Sequence, residues 1–214
     1  MKQKNRPEAI EETPVPRPVA LGMKSHIGWA AVVALAGPVA SAEVVAKRRI
    51  QMATTFEVGA VYHKSQELSV AEAETLIRAS EAMFERTARE ALVDLAAELR
   101  AAGCEPVASA LASGSGRTLP PLASILKSHA LVHAAEGELY RQVLLRASEA
   151  CHIPALPIPA NRIEARAAGA LRIPRARLPA RLAMLGKAAG RPWARDQKQS
   201  ALAAWVALAA RQSN

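Results

Sequence analysis

The chain has 214 residues and half of them are apolar, so it can bury a sizeable core within one domain. Alanine supplies much of the apolar fraction and only 3% of the residues are aromatic, which favours helices packed through small side chains. The formal net charge of +9 points to a phosphate-rich or acidic partner. Two cysteines and no recognisable signal peptide indicate the reducing cytoplasm and exclude a disulfide-stapled scaffold. The longest nearly uncharged run, residues 27–42, is too short to favour a membrane span.

The first nineteen residues differ in composition from the rest of the chain. They are mostly polar and contain four prolines, so they have little apolar surface to bury. We predict a flexible tail over residues 1–19, followed by a single domain over residues 20–214 that ends in a basic helical segment.

Three apolar runs at the start of this domain predict strands. Residues 28–35 and 42–52 are separated by the turn signal Gly37-Pro38 and therefore predict an antiparallel pair. The first run is apolar throughout and is expected to be central, whereas Lys47-Arg48-Arg49 makes the second partly exposed. Residues 56–62 (FEVGAVY) predict a third strand.

A long helix follows the three predicted strands. Ser69 and Glu72 have the spacing of a capping box, in which each residue satisfies a free N–H group of the other. Apolar residues then recur with helical periodicity until Gly103, which is typical of a helix end.

The rest of the chain alternates between strands and helices. Residues 106–112 predict a buried strand, and residues 121–151 predict a long helix beginning at Pro121. Residues 153–159 predict an edge strand, because their three prolines cannot donate to a ladder. Further helices are predicted over residues 162–170, 180–189 and 195–210. The whole order predicts an α/β fold: a mixed five-stranded sheet, in which three antiparallel strands precede strand–helix units, with helices on both faces.

Four stretches add a family likeness to this order. Residues 21–30 run from a Gly-led loop to Gly-Trp-Ala, and the helix over 129–150 precedes the strand at 153–159. Residues 159–186 form a basic segment ahead of the last helix, which contains Ser200-Ala201-Leu202-Ala203. Together these features, over about residues 20–210, resemble the RuvC group of Holliday-junction resolvases, which have the ribonuclease H-like fold.

The resemblance also implies a set of acidic residues that hold two metal ions for hydrolysis. In such enzymes one Asp lies on the first strand, one Glu follows the fourth strand, and one or two Asp lie on the last helix. In this chain the first position falls near Lys24, residues 110–113 contain no carboxylate, and the last-helix positions are Gln197 and Ser200 beside Asp196. The likeness therefore implies a nucleic-acid-binding member without the usual two-metal nuclease site.

A second candidate site comes from histidines. His129 and His133 are four positions apart in the sequence and lie on one face of the predicted helix. This is the spacing with which two imidazoles bind one metal ion. Glu136 continues this face, and His26 and His63 could approach from the sheet. The set could bind a divalent transition metal through His26, His63 and His129, or use His133 as a general base that Glu136 orients. The alternative is that all are surface or capping residues with ordinary hydrogen bonds.

The third feature is a basic segment. Residues 162–196 hold eight arginines and one lysine against two carboxylates. Such a segment predicts contacts to the phosphates of DNA or RNA, and the alternatives are a non-enzymatic interaction with an acidic protein surface or a merely solvated face. The predicted phosphate contacts are Arg162, Arg166, Arg172, Arg175, Arg177 and Arg181. A Gly-rich turn at residues 113–116 is a further, weaker phosphate-binding candidate.

Overall fold

The computed structural model describes residues 15–114 and 118–212 and contains one five-stranded sheet. The strands lie in the order β3-β2-β1-β4-β5. The pairs β1–β2 and β2–β3 are antiparallel, whereas β1–β4 and β4–β5 are parallel. The strands are β1 (Arg17–His26), β2 (Trp29–Ala36), β3 (Glu43–Gln51), β4 (Cys104–Ser113) and β5 (Ala155–Pro159). This is the mixed sheet that the order of elements predicts, and the proline-rich strand lies at its edge as expected.

Helices cover both faces of the sheet. None of the described helices is both long enough and apolar enough to cross a membrane. The helices are α1 (Phe56–Gly59), α2 (Val61–Ser65), α3 (Val70–Ala101), α4 (Leu122–Ile125), α5 (His129–Ala150), α6 (Ile163–Leu171), α7 (Leu178–Ala189) and α8 (Arg195–Gln212).

The alternation of side chains along the strands divides the interior into two cores. On one face, Leu21 and Met23 of β1 pack with Phe84 of α3 and Leu144 of α5. On the other face, neighbouring strand residues pack with α6, α7 and α8, where Trp205 is almost completely buried. Successive residues of a strand point to opposite faces, so an apolar strand such as β2 serves both cores.

Helix α8 lies unusually close to β1, and Gly22 permits this approach. A Cβ atom at Gly22 would lie 1.8 Å from the carbonyl oxygen of Ser200. The Ser200 hydroxyl, fully buried, donates a 3.0 Å hydrogen bond to the carbonyl of Ala31 on β2. These contacts hold the first turns of α8 against the end of β1.

Helix α3, on the face of the sheet opposite α8, has the caps that the sequence predicts. Ser69 and Glu72 form the capping box at the start of α3, and that helix ends just before Gly103, whose φ is +72°. Arg146 of α5 donates to Glu81 and Glu85 of α3, which ties the two helices together.

Three predictions about element boundaries need correction. Arg17–Val19 belong to β1, so the ordered domain begins before residue 20; residues 1–14 lie outside the described part of the chain. Residues 56–62 are not a strand but lie in α1 and α2, because the Thr55 side chain caps a helical turn by accepting from the N–H of Val58. The three antiparallel strands are therefore β1, β2 and β3. Strand β1 is not one of the three apolar runs, and it takes the place in the sheet that residues 56–62 were predicted to fill.

The long predicted helix over residues 121–151 is interrupted. It comprises α4 and α5, and the break occurs because the Ser128 side chain accepts from the N–H of Leu131 and starts a new helix. The interruption places His129 in the first turn of α5 rather than in the middle of a helix.

Candidate functional site

Helix α2 brings one histidine to two others on α5. The ring of His63 lies edge-on to those of His133 and His129, with centroids 4.6 Å and 5.7 Å away. The Nε2 atoms of His129 and His133 are 3.0 Å apart, as their spacing of one helical turn allows. Each of the three histidines offers a ring nitrogen, and these nitrogens lie within 4.8 Å of one another.

Glu136 lies behind this cluster and is fully buried. One carboxylate oxygen contacts Nδ1 of His63 at 2.8 Å, and the other accepts the backbone N–H of Tyr62 at 3.2 Å. Both oxygens therefore have a partner, which a buried carboxylate needs. We expected Glu136 to orient His133, but the structure pairs it with His63. Burial, with the nearby carboxylates of Glu81 and Glu136, raises the pKa of the Tyr62 hydroxyl.

A buried tyrosine fixes the approach of α1 and α2 to α5. Tyr140, which follows Glu136 by one helical turn on α5, donates a 2.8 Å hydrogen bond to the carbonyl of Gly59 and stacks on Phe84. Burial, reinforced by Glu136, raises the pKa of the Tyr140 hydroxyl far above its usual range. Tyr140 is therefore part of the scaffold that positions His63.

The structure does not bring His26 to the other histidines. It ends β1, and its ring stacks on Trp29 with centroids 4.2 Å apart and an interplanar angle of 11°. Its Nε2 lies 3.0 Å from a carboxylate oxygen of Asp196 on α8, but the atoms are not aligned for a hydrogen bond. His26 thus belongs to a second group of polar residues at the carboxyl ends of β1 and β4.

Lys24 is the centre of that second group. It pairs with Ala31 and Ala112 in the sheet and lies where the family resemblance implies a carboxylate. Burial lowers the pKa of the Lys24 ammonium; Asp196 opposes this shift, and the cations Arg141 and Arg195 add to it. The charged groups that shift the pKa of Lys24 at this end of the strands are therefore two cations and one anion.

A basic groove adjoins this group on the α8 side of the sheet. The Arg49 guanidinium lies 3.8 Å from the centroid of the Trp29 ring, a cation–π contact. Lys47 donates a 2.7 Å hydrogen bond to the carbonyl of Gly190, and Arg48 pairs with Glu98. The cavity has a volume of about 420 Å³, and its lining residues are Trp29, Ala31, Lys47, Arg48, Arg49, Arg191, Pro192 and Gln197.

Sequence reasoning missed this groove. The signal lies in the strand register, because β2 and β3 pair Trp29 with Gln51 and Ala31 with Arg49. Trp29 and Arg49 are therefore diagonal neighbours on one face of the sheet, within reach of a large side chain. The hairpin between β2 and β3 was predicted, but its register depends on an irregularity between Ala34 and Leu35 that no sequence pattern marks.

The six arginines predicted to contact phosphates do not form one patch. Arg162 follows β5 at the same sheet edge as Lys24, whereas Arg172 and Arg181 lie beside Ala40 in the β2–β3 connection, at the opposite edge. Arg175 is bonded to Glu164 at 2.6 Å. Arg166 and Arg177 are exposed on the α6 and α7 side of the molecule.

The Gly-rich turn is only partly described. Residues 115–117 lie outside the described part of the chain. Gly114 lies against Arg141, whose guanidinium is 2.7 Å from the position of a Cβ atom at that glycine. Arg141 also donates to Glu138 at 2.7 Å; although burial opposes the change, hydrogen bonds from Gln142 and Arg141 lower the pKa of the Glu138 carboxyl.

Comparisons with known proteins support the fold. No protein-family model matches the sequence, and no curated protein matches it. A solved structure of T. thermophilus RuvC in complex with a Holliday junction substrate has a TM-score of 0.53 at 12% identity, covering 92% of this chain and 96% of that one. A further Thermus thermophilus RuvC structure has a TM-score of 0.50 at 10% identity, covering 88% and 91%. The chain therefore has a RuvC-like, ribonuclease H-like fold, as the resemblance implied.

Proposed function

We propose that the protein binds nucleic acid in the basic groove and does so without two-metal cleavage. The observation that carries the proposal is the stack of Arg49 on Trp29 in a groove that Lys47 and Arg191 also line. Guanidinium and ammonium groups neutralise phosphates, and the Arg49 guanidinium, held flat against the indole, has an outer face on which a base can stack. One groove thus supplies both of the interactions on which binding of a single-stranded or opened nucleic acid depends.

The position of the groove supports the same proposal. It lies at the edge where β1 and β4 end, and open α/β sheets bind their ligands at the carboxyl ends of parallel strands. One of the structural neighbours is described in complex with a Holliday junction substrate. The net charge of +9 favours a polyanion over a neutral or cationic partner.

The residues at the same edge argue against two-metal hydrolysis. That chemistry needs carboxylates to hold two divalent cations beside the scissile phosphate. Here Lys24 lies on β1, and Gln197 and Ser200 lie on α8, so Asp196 is the carboxylate that this turn of α8 contributes. An ammonium group at the centre of the site would repel a divalent cation and attract a phosphate instead.

Affinity measurements on matched variants test the groove. We expect Trp29→Ala to weaken binding of a fluorescent single-stranded oligonucleotide, measured by anisotropy, by about 1–3 kcal/mol, the usual contribution of one stacked base, because the indole holds the Arg49 guanidinium on which the base stacks. Arg86→Gln is the control for charge, because Arg86 is exposed on α3 across the sheet and should leave the affinity unchanged. No binding by the unmodified protein at low salt would refute the proposal.

A second experiment separates the arginines from the groove. If Arg172→Gln and Arg177→Gln weaken binding while Trp29→Ala does not, phosphate contacts come from the α6–α7 segment and the groove is not the site. Binding of an acidic protein that persists after nuclease treatment, with no affinity for oligonucleotides, would favour a protein partner instead.

We also expect the protein to leave a four-way junction uncut. Incubation with Mg²⁺ or Mn²⁺ should give no cleavage products, because Lys24 lies where the resemblance implies a carboxylate that binds a metal ion. Cleavage that requires a divalent ion and is lost in Asp196→Asn would contradict this part of the proposal.

A further inference from the structure

We propose that His63, His129 and His133 bind a late first-row divalent metal ion, of which Zn²⁺ is the type, and leave a fourth position open to solvent. The proposal is independent of nucleic-acid binding, because it concerns other residues on the opposite face of the sheet.

The donor atoms already lie near a common centre. A tetrahedral zinc ion with Zn–N distances of about 2.0–2.1 Å holds its nitrogens roughly 3.3 Å apart. The Nε2 atoms of His129 and His133 are 3.0 Å apart, and His63 contributes a nitrogen within 4.8 Å of both. Because His129 and His133 are exposed on the first two turns of α5, their side chains have room to rotate towards this geometry.

The contact between His63 and Glu136 selects the ligand atom. The carboxylate holds the proton on Nδ1, at 2.8 Å, so the lone pair of Nε2 is free for a metal ion. Carboxylates behind metal-bound histidines commonly serve this purpose, fixing the tautomer and raising the basicity of the ring. Glu136 is in turn fixed by the backbone N–H of Tyr62 and by complete burial.

The type of donor determines the class of ion. Three neutral imidazoles suit Zn²⁺, Cu²⁺, Ni²⁺ and Co²⁺, whereas Mg²⁺ and Ca²⁺ require oxygen ligands. Within the described residues, one group of three or more metal-binding side chains lies close enough together to hold an ion. It consists of His63, His129 and His133. The site therefore differs in chemistry from an acidic two-metal centre.

The space beside the cluster leaves the fourth position to water. A cavity of about 390 Å³ adjoins His133 and is lined also by Gly137, Glu138 and Arg141. Three histidine ligands with an open position are the arrangement of catalytic rather than structural zinc sites. The bound water would lie beside this cavity, which the ion pair of Glu138 and Arg141 lines.

The experiment uses protein purified without a histidine tag and stripped of metal with a chelator. Titration with Co²⁺ should give the visible absorption bands of a four-coordinate site at one equivalent, and added Zn²⁺ should abolish these bands. The double variant His129→Ala/His133→Ala should lose the bands; both side chains are exposed, so the fold should persist. Glu136→Gln keeps an acceptor beside His63 and should weaken Zn²⁺ binding by about 10–100-fold.

The control is a histidine outside the cluster. His152 is exposed with φ of 59°, a conformation that asparagine tolerates, so His152→Asn should bind Co²⁺ and Zn²⁺ like the parent. Absence of stoichiometric binding by the parent protein, or equal binding by the double variant, would overturn the proposal. Because no nucleic acid is present, the result is independent of the groove.

Discussion

A single lysine shows how strongly the sheet edge constrains chemistry. Lys24 lies where its ammonium group is partly removed from water and close to two arginines, and burial lowers its pKa. A partly buried ammonium group destabilises the folded protein as long as it stays charged, because burial favours its neutral form. The chain keeps it nevertheless, which fits a cation retained to receive a phosphate.

This shift predicts a dependence of stability on pH. Because the pKa of Lys24 is lower in the folded than in the unfolded protein, whose value is near 10.5, the unfolded chain binds more protons between the two values. Stability should therefore rise with pH in that window. Lys24→Met should gain urea resistance over the parent at pH near 7 and lose that advantage towards pH 10.

The control for this measurement is Lys187→Met, which removes an exposed lysine from α7. Its midpoint difference from the parent should stay constant across the same pH range. A constant difference for Lys24→Met as well would show that the lysine is not desolvated.

The residues of the histidine cluster were only half predictable. The spacing of His129, His133 and Glu136 places them on one face whenever the segment is helical. His63 was expected to come from the end of a strand, and it reaches the cluster from α2 instead. Which carboxylate contacts which histidine depends on the packing of α2 against α5, and no local pattern contains that information.

At the scale of elements, the contact between α8 and β1 depends on a glycine. The missing side chain at Gly22 lets the two backbones touch, and this contact brings Asp196 towards Lys24 and His26. Close approach of two backbones requires glycine because any Cβ atom would occupy the same space.

We therefore predict that Gly22→Ala destabilises the protein by about 3 kcal/mol or more, since backbone on both sides must shift. Gly169→Ala is the matched control, because a Cβ atom at that position of α6 meets nothing within 4 Å. It should raise stability by up to about 1 kcal/mol through helix propensity. Urea unfolding compares the two; equal effects would mean that the α8–β1 approach is looser than described.

Elements with strong local signals were predicted well. The capping box of α3 and the glycine that follows it set both ends of a 32-residue helix. The apolar run at residues 56–62 has the composition of a strand but lies in α1 and α2, where Thr55 and Tyr140 provide the hydrogen bonds. Strand β1 ends in polar residues, so its carboxyl end lacks the apolar pattern of a buried strand. It was recognisable only through the family likeness, because α8, which is distant in the sequence, buries that end.

For the whole molecule, the charges separate into two surfaces. The groove beside Trp29 and the cations around Lys24 lie at one edge of the sheet, while Arg172 and Arg181 lie at the other. The sequence predicted the excess of positive charge but not where it lies. Helices α6 and α7 run between the two ends of the sheet, so one continuous basic segment places arginines at both ends. Fold class and sheet order followed from the succession of elements.

The salt dependence of nucleic-acid binding by Arg49→Gln, measured beside the parent and Arg86→Gln, tests the proposed groove most directly. Anisotropy between about 50 and 200 mM salt gives the slope of log affinity against log salt. Loss of one phosphate contact should reduce the slope for Arg49→Gln by about one, with the slope for Arg86→Gln equal to that of the parent. Equal slopes for all three proteins would contradict binding in the Trp29 groove.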